Sequence, residues 1–598
     1  MIEKMKKITL LVSEADKERF IASLRKAGVL HIKQKKVEPS HEVTFTEDAI
    51  IKIERAVDIL RPYAALKRHA KETEERTSVH ADEDKVSELW EERLEICSEL
   101  EELKRKLRWF RIWGKIEPED LKKIQEKGSG IGLYRVSAEE YKKDIKDTRH
   151  AVIFKDGGYF YVAAVLAHDG TNASFKEVDT PAESPVLLEK QQKEREDRIK
   201  DVDAELGSAA RGIKILQDKI KDLKKEKEFL GVKSRMNPEG MFCYLEGFCP
   251  DKKKGQMIDL AANNGAGYFI EDPEDPDNTP TLITNPKWIR IIDPVFTFMN
   301  TLPGYEEFDI SPYFLVFFSL FFAMLIGDAG YGMLFLAITF LARRKMKNAP
   351  AEPFRLLYLL SFGTVLWGAV TGTWFGAERI AEIPFFKALI IQKLNGFNGA
   401  NQDFIIYICF LIGAVQLTIA HILRFIRVIN SPKAVAEAGW IAILWGMFFA
   451  AGTFVLGKTF PYQASWALAG GIITVLLFSK PEKGIIKGAL ATLADLPLSV
   501  ISSFSDIVSY LRLFAVGYAS VVVAQSFNDM ALAGGISSAF GAMGSALILF
   551  FGHLLNIVLG GMAVIVHGVR LNMLEFSGHV GMQWSGKKYD PFREVNVK

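Results

Sequence analysis

"SFSDIVSYLRLFAVGYAS", residues 503–520, is an apolar run of membrane type that carries an arginine, Arg512, in its interior. The run spans 497–527 and leaves Arg512 about fifteen residues from either end, too far for its side chain to snorkel out. A guanidinium near mid-bilayer costs at least about 2.5–3.5 kcal/mol, so a residue kept there has a function by default. Asp506 lies six positions away on a different face, and no other acid on this helix can pair with Arg512. The missing carboxylate is therefore expected to belong to another chain or to come and go. Ser502, Ser505 and Ser509 precede the arginine at helical spacing, and Ser520 follows on nearly the same face.

A second run, 540–573, carries a matching stripe of His553, Asn556, Gly560, His567 and Arg570. Serines and glycines in such stripes serve close helix packing, which is the simpler account of most of them. Two intramembrane arginines are not explained that way, although Arg570 lies nearer a helix end. His567 and Asn556 are candidates to line a polar path, weighed evenly against ordinary packing. Glu575 is expected at the cytoplasmic mouth rather than within the membrane.

Outward from these two runs, further apolar segments lie at 312–327, 330–343, 354–377, 404–429, 437–457 and 463–479, so eight crossings are expected. "GDAGYG" (327–332) separates the first two, each short for a bilayer of about 30 Å, and predicts a tight turn. With the N-terminus in the cytoplasm, internal loops hold Arg343, Arg344, Lys345, Lys347 and Arg355, then Arg424, Arg427 and Lys433, then Lys480, Lys483 and Lys487. External loops hold only Arg379, Lys387, Lys393 and Lys458. The positive-inside rule favours this topology, whereas seven crossings would put the Arg343–Arg355 cluster outside.

The half before residue 301 is dense in charge. "KKITLLV", "EADKERFIASLRKAG" and "VLHIKQ" read as strand, helix and strand. Leu89, Ile96 and Leu103 recur every seven residues, and Ile199, Val202, Leu206, Ala209, Ile213, Leu216, Ile220 and Leu223 alternate by three and four. That is the seam of a coiled coil. Between the two stretches, Asp156-Gly157-Gly158 marks a β-hairpin. The fold class expected is an α-helical polytopic membrane protein with an N-terminal cytoplasmic domain of α/β plus antiparallel coiled-coil type. Its parts are a proximal α/β lobe (1–80 and 232–290), an arm (84–127 and 186–231), a distal α/β lobe (128–181) and a membrane domain (301–598).

Lys and Arg total 75 against 73 Asp and Glu, so no general attraction to nucleic acid is expected. Cys97, Cys243, Cys249 and Cys409 have neither disulfide-framework nor zinc spacing, which suits a reducing compartment, and no metal or cofactor is expected. The N-terminus has too short an apolar stretch for a signal peptide. "GMQWSGKK" (581–588) approaches a phosphate loop, but Lys588 stands where Ser or Thr would bind magnesium, and a membrane helix precedes it. No other nucleotide site is legible, so this chain is expected not to hydrolyse ATP.

"SFSDIVSYLRLFAVGYAS" and "LLNIVLGGMAVIVHGVRLNMLEFSGHVG…YDPFREV" resemble the last two helices of the a (or I) subunit of V-type and A-type rotary ATPases. "FFAMLIGDAGYGMLFL", "FGTVLWGAVTGTWFG" and "LIGAVQLTIAHILRFI" resemble its earlier helices, and "KMKKITLLV…LRKAGVLHI" with "LEGFCPDKK" its cytoplasmic half. The resemblance implies a stator beside a ring of c-type proteolipids, with two offset half-channels carrying H⁺ or Na⁺. It assigns ion translocation to Arg512 and Arg570, since guanidinium cannot itself relay a proton and draws the ring's carboxylate into its ionised form. His567, Asn556, Ser509, Asp506, Ser520 and Glu575 are then half-channel candidates. Eukaryotic relatives carry a histidine at the position of Ser520 and a glutamate at that of Gly560. The arm would dock peripheral stalk subunits of E/G type, and the central-stalk socket subunit and membrane lipids would complete the surroundings. Compact external loops and short length point to the cell membrane of a prokaryote. The rival readings are a secondary transporter or anion channel using the arginines for substrate, and a membrane-anchored scaffold. Neither repeated broken halves nor a purpose for two buried arginines supports them.

Overall fold

A computed structural model of the chain describes residues 1–33, 40–66, 82–114, 116–126, 131–137, 141, 149–165, 178–239, 241–397, 399–533 and 539–594. Parts of the expected proximal lobe (34–39, 67–80), arm (115, 127) and distal lobe (128–130, 138–140, 142–148, 166–177) lie outside the described residues. The chain divides into two compact units. One comprises Met1–Val12, Ala27–Lys33 and Leu245–Arg593; the other comprises Ser13–Lys26, the described residues between Gln34 and Tyr244, and Glu594.

In the first unit, β1 (Met5–Ser13), β2 (His31–Ile32), β7 (Phe242–Pro250) and β8 (Gly267–Glu271) form a sheet in the order β2-β7-β1-β8. A short β6 (Asn237–Glu239) pairs with the first residues of β7, Phe242–Tyr244, and these paired residues belong to the second unit. The C-terminal tail returns to this sheet. β10 (Lys587–Lys588) pairs in parallel with β9 (Pro280–Thr281), the Phe592 N–H donates to the Leu30 carbonyl at 2.9 Å, and the Tyr589 hydroxyl donates to the Val29 carbonyl. The near-match to a phosphate loop is thus extended chain used for strand pairing.

The second unit contains the arm. Helix Glu83–Trp113 packs along Pro185–Ala209, and His41–Leu66 packs along Ile213–Arg235. Of the seam residues predicted by spacing, Leu89, Ile96, Val202, Leu206, Leu216 and Ile220 are buried, while Leu103, Ile199, Ala209, Ile213 and Leu223 are half-buried. The boundaries differ from expectation at His41–Leu66, placed by sequence in the proximal lobe. Its Ile50, Ile53, Ala56, Val57 and Leu60 join Val86, Leu89, Val202, Leu206 and Leu216 in one core, so this helix belongs to the arm. A 3₁₀ turn at Ala210–Gly212 interrupts the long second stretch, and the helix runs on past Gly231 to Arg235. Beyond the arm, β3 (Ile131–Ser137), β4 (His150–Asp156) and β5 (Tyr159–Val165) form an antiparallel sheet in the order β3-β5-β4. Gly157 and Gly158 both take positive φ, 54° and 87°, as the tight β4–β5 turn requires.

All eight apolar segments are helical. Among the described residues, five helices are long and apolar enough to cross a membrane, or six if the bent pair Ser311–Ile326 and Ala329–Lys345 is one span; Tyr462–Phe478 is a shorter apolar helix. The bent pair turns by 118°. Gly327, at φ 67°, closes its first helix, and the Asp328 carboxylate caps the second. The expected seventh segment is two helices, Ile485–Ser509 and Leu511–Ala533, parted at Tyr510. The eighth starts as Ala539–Ala563 and continues through two π-helical stretches, Val564–Gly568 and Leu571–Phe576.

Candidate functional site

Arg512 sits two residues past the break at Tyr510, and Tyr510 fixes it. The tyrosine ring packs against Gly413 of helix Gln402–Arg427, where an added Cβ would come within 2.6 Å of the ring. Its hydroxyl donates to Gln416 Oε1 at 2.8 Å, and Gln416 Nε2 donates to Asn572 Oδ1 at 2.9 Å. Buried amides and hydroxyls need such partners in an apolar surround. Three helices are thereby pinned at the level of Arg512.

The carboxylate absent from Arg512's own helix is supplied within the chain. Arg512 Nη2 donates to Glu575 Oε1, while its Nε donates to the Ser509 carbonyl at 3.0 Å. This corrects one expectation: the arginine has an intrachain partner, Glu575, whose side chain is 5% exposed. Arg570 Nε lies 3.8 Å from the same Glu575 oxygen. The π-helical turns on either side of Arg570 explain why spacing did not reveal this, since each adds a residue to a turn and rotates the side chains beyond it. Two guanidinium groups against one carboxylate leave the cluster net positive. Arg512 keeps 23% of its side chain exposed and Arg570 55%, so the positive face is open. Glu575 Oε2 is buried with no hydrogen-bond partner, and so is His567 Nδ1.

The serine stripe divides at this point. Ser502 and Ser505 are exposed and Ser509 is half-buried, whereas Ser520 is turned inward. Ser520 Oγ donates to Asn556 Oδ1 at 3.2 Å, and Asn556 Nδ2 reaches the Ser520 carbonyl at 2.9 Å and the Tyr331 hydroxyl at 3.0 Å. Tyr331 meets His553 Nδ1 at 2.7 Å, and His553 Nε2 meets Asn528 Oδ1 at 3.1 Å. Asn528, His553, Tyr331, Asn556 and Ser520 thus form a continuous polar chain on the 528–539 side of the arginines. Asp328 holds Tyr331 in place by accepting from the backbone N–H groups of Gly330, Tyr331, Phe375 and Gly376 at 2.8–3.2 Å.

A second chain lies on the other side. Asp506 Oδ2 is 2.9 Å from His579 Nε2, His579 Nδ1 is 3.1 Å from His421 Nε2, and His421 Nδ1 is 2.8 Å from Glu437 Oε2. Arg424 Nη2 stands 3.3 Å from Glu437 Oε1. Sequence reasoning reached Asp506 alone. His421 and Glu437 lie in or beside apolar segments, and the rule applied to Arg512, that an intramembrane ionisable group has a function, would have flagged them too.

No family model matches the chain. It is similar to the V-type ATP synthase subunit I of Borreliella burgdorferi, with 30% identity over 635 residues covering 100% of each chain. V-type ATP synthase subunit I 1 of Treponema pallidum is 27% identical over 635 residues, covering 99% of this chain and 100% of that one. A-type ATP synthase subunit I of Methanocaldococcus jannaschii is 25% identical over 511 residues, covering 77% and 71%. The crystal structure of the cytoplasmic N-terminal domain of a V-ATPase subunit I, homolog of subunit a, aligns with 44% of this chain at 14% identity and a TM-score of 0.19, too low to carry a structural argument.

Proposed function

Because the chain belongs to the family of V-type and A-type ATP synthase subunit I, we propose that it is the ion-translocating stator of the membrane sector, working against a ring of c-type proteolipids. The observation that carries this reading is the convergence of Arg512 and Arg570 on Glu575. A ring carboxylate arriving at the open face meets a net positive site, loses its ion and pairs with Arg512. When it leaves, Glu575 takes Arg512 back, so the guanidinium is never stranded without a counter-charge in a low-dielectric site. Arginine suits this exchange because it stays charged and cannot pass a proton directly across.

The Asn528–Ser520 chain then leads to the arginines from one membrane side and the Asp506–Glu437 chain from the other, which is the offset arrangement two half-channels need. His567, with its unpartnered Nδ1 between them, faces the path of exchange. Each charge crossing yields about 2.3 kcal/mol per 100 mV, so several must be coupled to each ATP made or hydrolysed on other subunits. The bare apolar face of the last helix, including Phe551, Leu555, Val558, Met562 and Ile565, suits a ring or lipid neighbour. The arm would dock E/G-type peripheral stalks, with the N-terminal domain on the cytoplasmic side of a prokaryotic membrane and the central-stalk socket subunit nearby.

Replacement Arg512→Ala in the full complex, reconstituted in vesicles, is expected to abolish ATP-driven ion pumping while the complex still assembles. Retained pumping would reject the role given to Arg512.

A further inference from the structure

Past Glu575 the chain runs from the last membrane helix straight back to the N-terminal lobe. Helix Ser577–Val580 closes at Gly581, φ 81°, and the extended stretch after it is fastened at every step. Trp584 Nε1 donates to Ser577 Oγ at 3.1 Å, and its ring stands 5.8 Å from that of Phe296 between centres. The Gln583 N–H donates to Glu307 Oε1 at 2.6 Å, and Glu307 Oε2 accepts from the Gly304 N–H at 2.8 Å. The Gly586 N–H donates to the Leu302 carbonyl at 3.1 Å, in a seat where an added Cβ would collide with the Pro303 carbonyl oxygen. Beyond it, β10 pairs with β9, the Tyr589 N–H donates to the Thr281 carbonyl at 3.1 Å, and Tyr589 and Phe592 are buried. One end of the stretch is thus anchored beside Glu575 and the other in the lobe.

We propose that residues 582–592 are a strap that positions Glu575, and through it the Arg512 and Arg570 site, relative to the N-terminal lobe, with Trp584 and Gly586 as its positioning residues. The inference rests on the stator reading above. A stator must hold its ion site still while the ring turns against it, and the force is returned through the lobe. If the chain crossed between lobe and membrane helices only once, through residues 284–310, the lobe could swing about that crossing. The strap is a second crossing at a different place in the fold, and two separated attachments remove the swing. The path it offers is short: from β10 the backbone reaches Ser577 and then Glu575 with no intervening loop longer than residues 581–586. A misplacement of about 1 Å at a reacting group can cost about a hundredfold in rate, so slack in this stretch would be felt at the arginines.

Covering the edge of the lobe would by itself account for the buried Tyr589 and Phe592. It does not account for the stretch between the anchors. Trp584 takes a positive φ, 56°, which a bulky side chain adopts only where its surroundings hold it there. The holding contacts are Ser577, one turn past Glu575, and Phe296, which packs in turn on Phe314 of the first membrane helix at 4.9 Å between ring centres. Strain kept in the middle of a connection, with a glycine-only seat beside it, marks a connection whose length and direction matter.

The test cuts the strap after folding. A protease-recognition sequence is inserted between Met582 and Gln583, the full complex is assembled and placed in vesicles, and the same preparation is measured before and after cleavage. The readout is the number of ions pumped per ATP hydrolysed, which a loss of folded complex does not move because both rates then fall together. Cleavage should lower this ratio severalfold while ATP hydrolysis continues and the tail fragment stays bound to the lobe. Phe592→Ala, which leaves the chain intact and only loosens the lobe anchor, should lower the same ratio by less, and it serves alone if the insertion prevents assembly. An unchanged ratio in the cut complex, an unchanged ratio in Phe592→Ala where that variant stands alone, a proportionate fall of both rates, or dissociation of the complex on cleavage would each overturn the strap. Arg512→Ala judges the parent reading separately: if it stops pumping while cleavage leaves the ratio unchanged, only the strap fails.

Discussion

Along the arm, Arg198 meets Glu92 at 2.7 Å with side chains 43% and 36% exposed, and Arg195 meets Glu99 at 2.8 Å under similar exposure. Among the membrane helices, Arg512 and Arg570 share one almost fully buried glutamate. The arm's pairs are wet, numerous and interchangeable, and its helices are held by a repeating apolar seam. In a bilayer an apolar seam gives little drive for association, because lipid tails are as apolar as leucine. Close approach at small residues and a few unrepeated polar contacts must do the specifying. Gly517 shows the first device, since an added Cβ would lie 2.4 Å from the Met324 carbonyl oxygen. Asp328 and Glu575 show the second. The same residue types thus have different weights in the two regions, and substitutions should separate them.

The largest effect is expected at Asp328. Its carboxylate is 1% exposed and satisfies four backbone N–H groups from two loops. Asp328→Ala would strand those donors in an apolar surround at about 1–3 kcal/mol each. The expected outcome is loss of the folded membrane domain, read as failure to recover complex after mild detergent extraction. Recovery at the normal yield would show that water fills the site and that the polar contact is not specific. Next comes Leu206→Ala in the arm seam, where a fully buried leucine is removed. A loss of about 2–5 kcal/mol is expected, appearing as faster hydrogen exchange through Pro185–Ala209 with the membrane helices unchanged.

These two regions also differed in how far they could be read from sequence. The arm's seam repeats, so Val202, Leu206, Leu216 and Ile220 announced themselves by spacing. What escaped was His41–Leu66, whose buried Ile50, Ile53 and Leu60 have no long run of heptads to mark them. In the membrane half the segments were legible from apolar length, and Arg512 and Arg570 from the cost of burying charge. Their partner was not. Glu575 is 63 positions from Arg512 and is rotated into place by π-helical turns that no periodicity encodes. The histidine pair is further still, 158 positions apart, and depends wholly on how helices Gln402–Arg427 and Ser577–Val580 meet. Singular contacts leave no pattern in a sequence.

The C-terminal tail offers an intermediate case, polar but near the surface of the first unit. The Asp590 N–H donates to His31 Nδ1 at 3.0 Å, and burial lowers the affinity of the His31 ring for a proton below its ordinary value. A group with a depressed folded pKa and a neutral basic form is destabilised by acid. The contribution of the closed tail is full above the ordinary histidine range near about 6.5, and is lost as pH falls through it, because the opened tail leaves His31 free to take a proton. The hydrogen-exchange protection of residues 586–594, taken relative to the intrinsic exchange rate at each pH, should fall between pH 7.5 and 5 (about one unit above to more than one below that range). His31→Gln should flatten the dependence, and an unchanged slope would place the sensitivity elsewhere.

The smallest effect is the most discriminating for the arm. Arg198 makes two hydrogen bonds to Glu92, from Nε at 2.7 Å and Nη2 at 3.1 Å, a geometry that in a buried site would be strongly stabilising. Here water screens both groups, and holding two long side chains in one arrangement opposes the gain. A double-mutant cycle through Arg198→Ala and Glu92→Ala should therefore return about 0.2–1 kcal/mol of coupling, shrinking further as salt is raised. The quantity to measure is the difference in hydrogen-exchange protection across Pro185–Ala209 among the four proteins. A coupling of several kcal/mol that resists salt would mean that the bidentate pair is shielded from solvent in the assembled complex. The arm's surface at Arg198 would then be covered by a partner, and the contrast between wet and buried charge would hold only for the isolated chain.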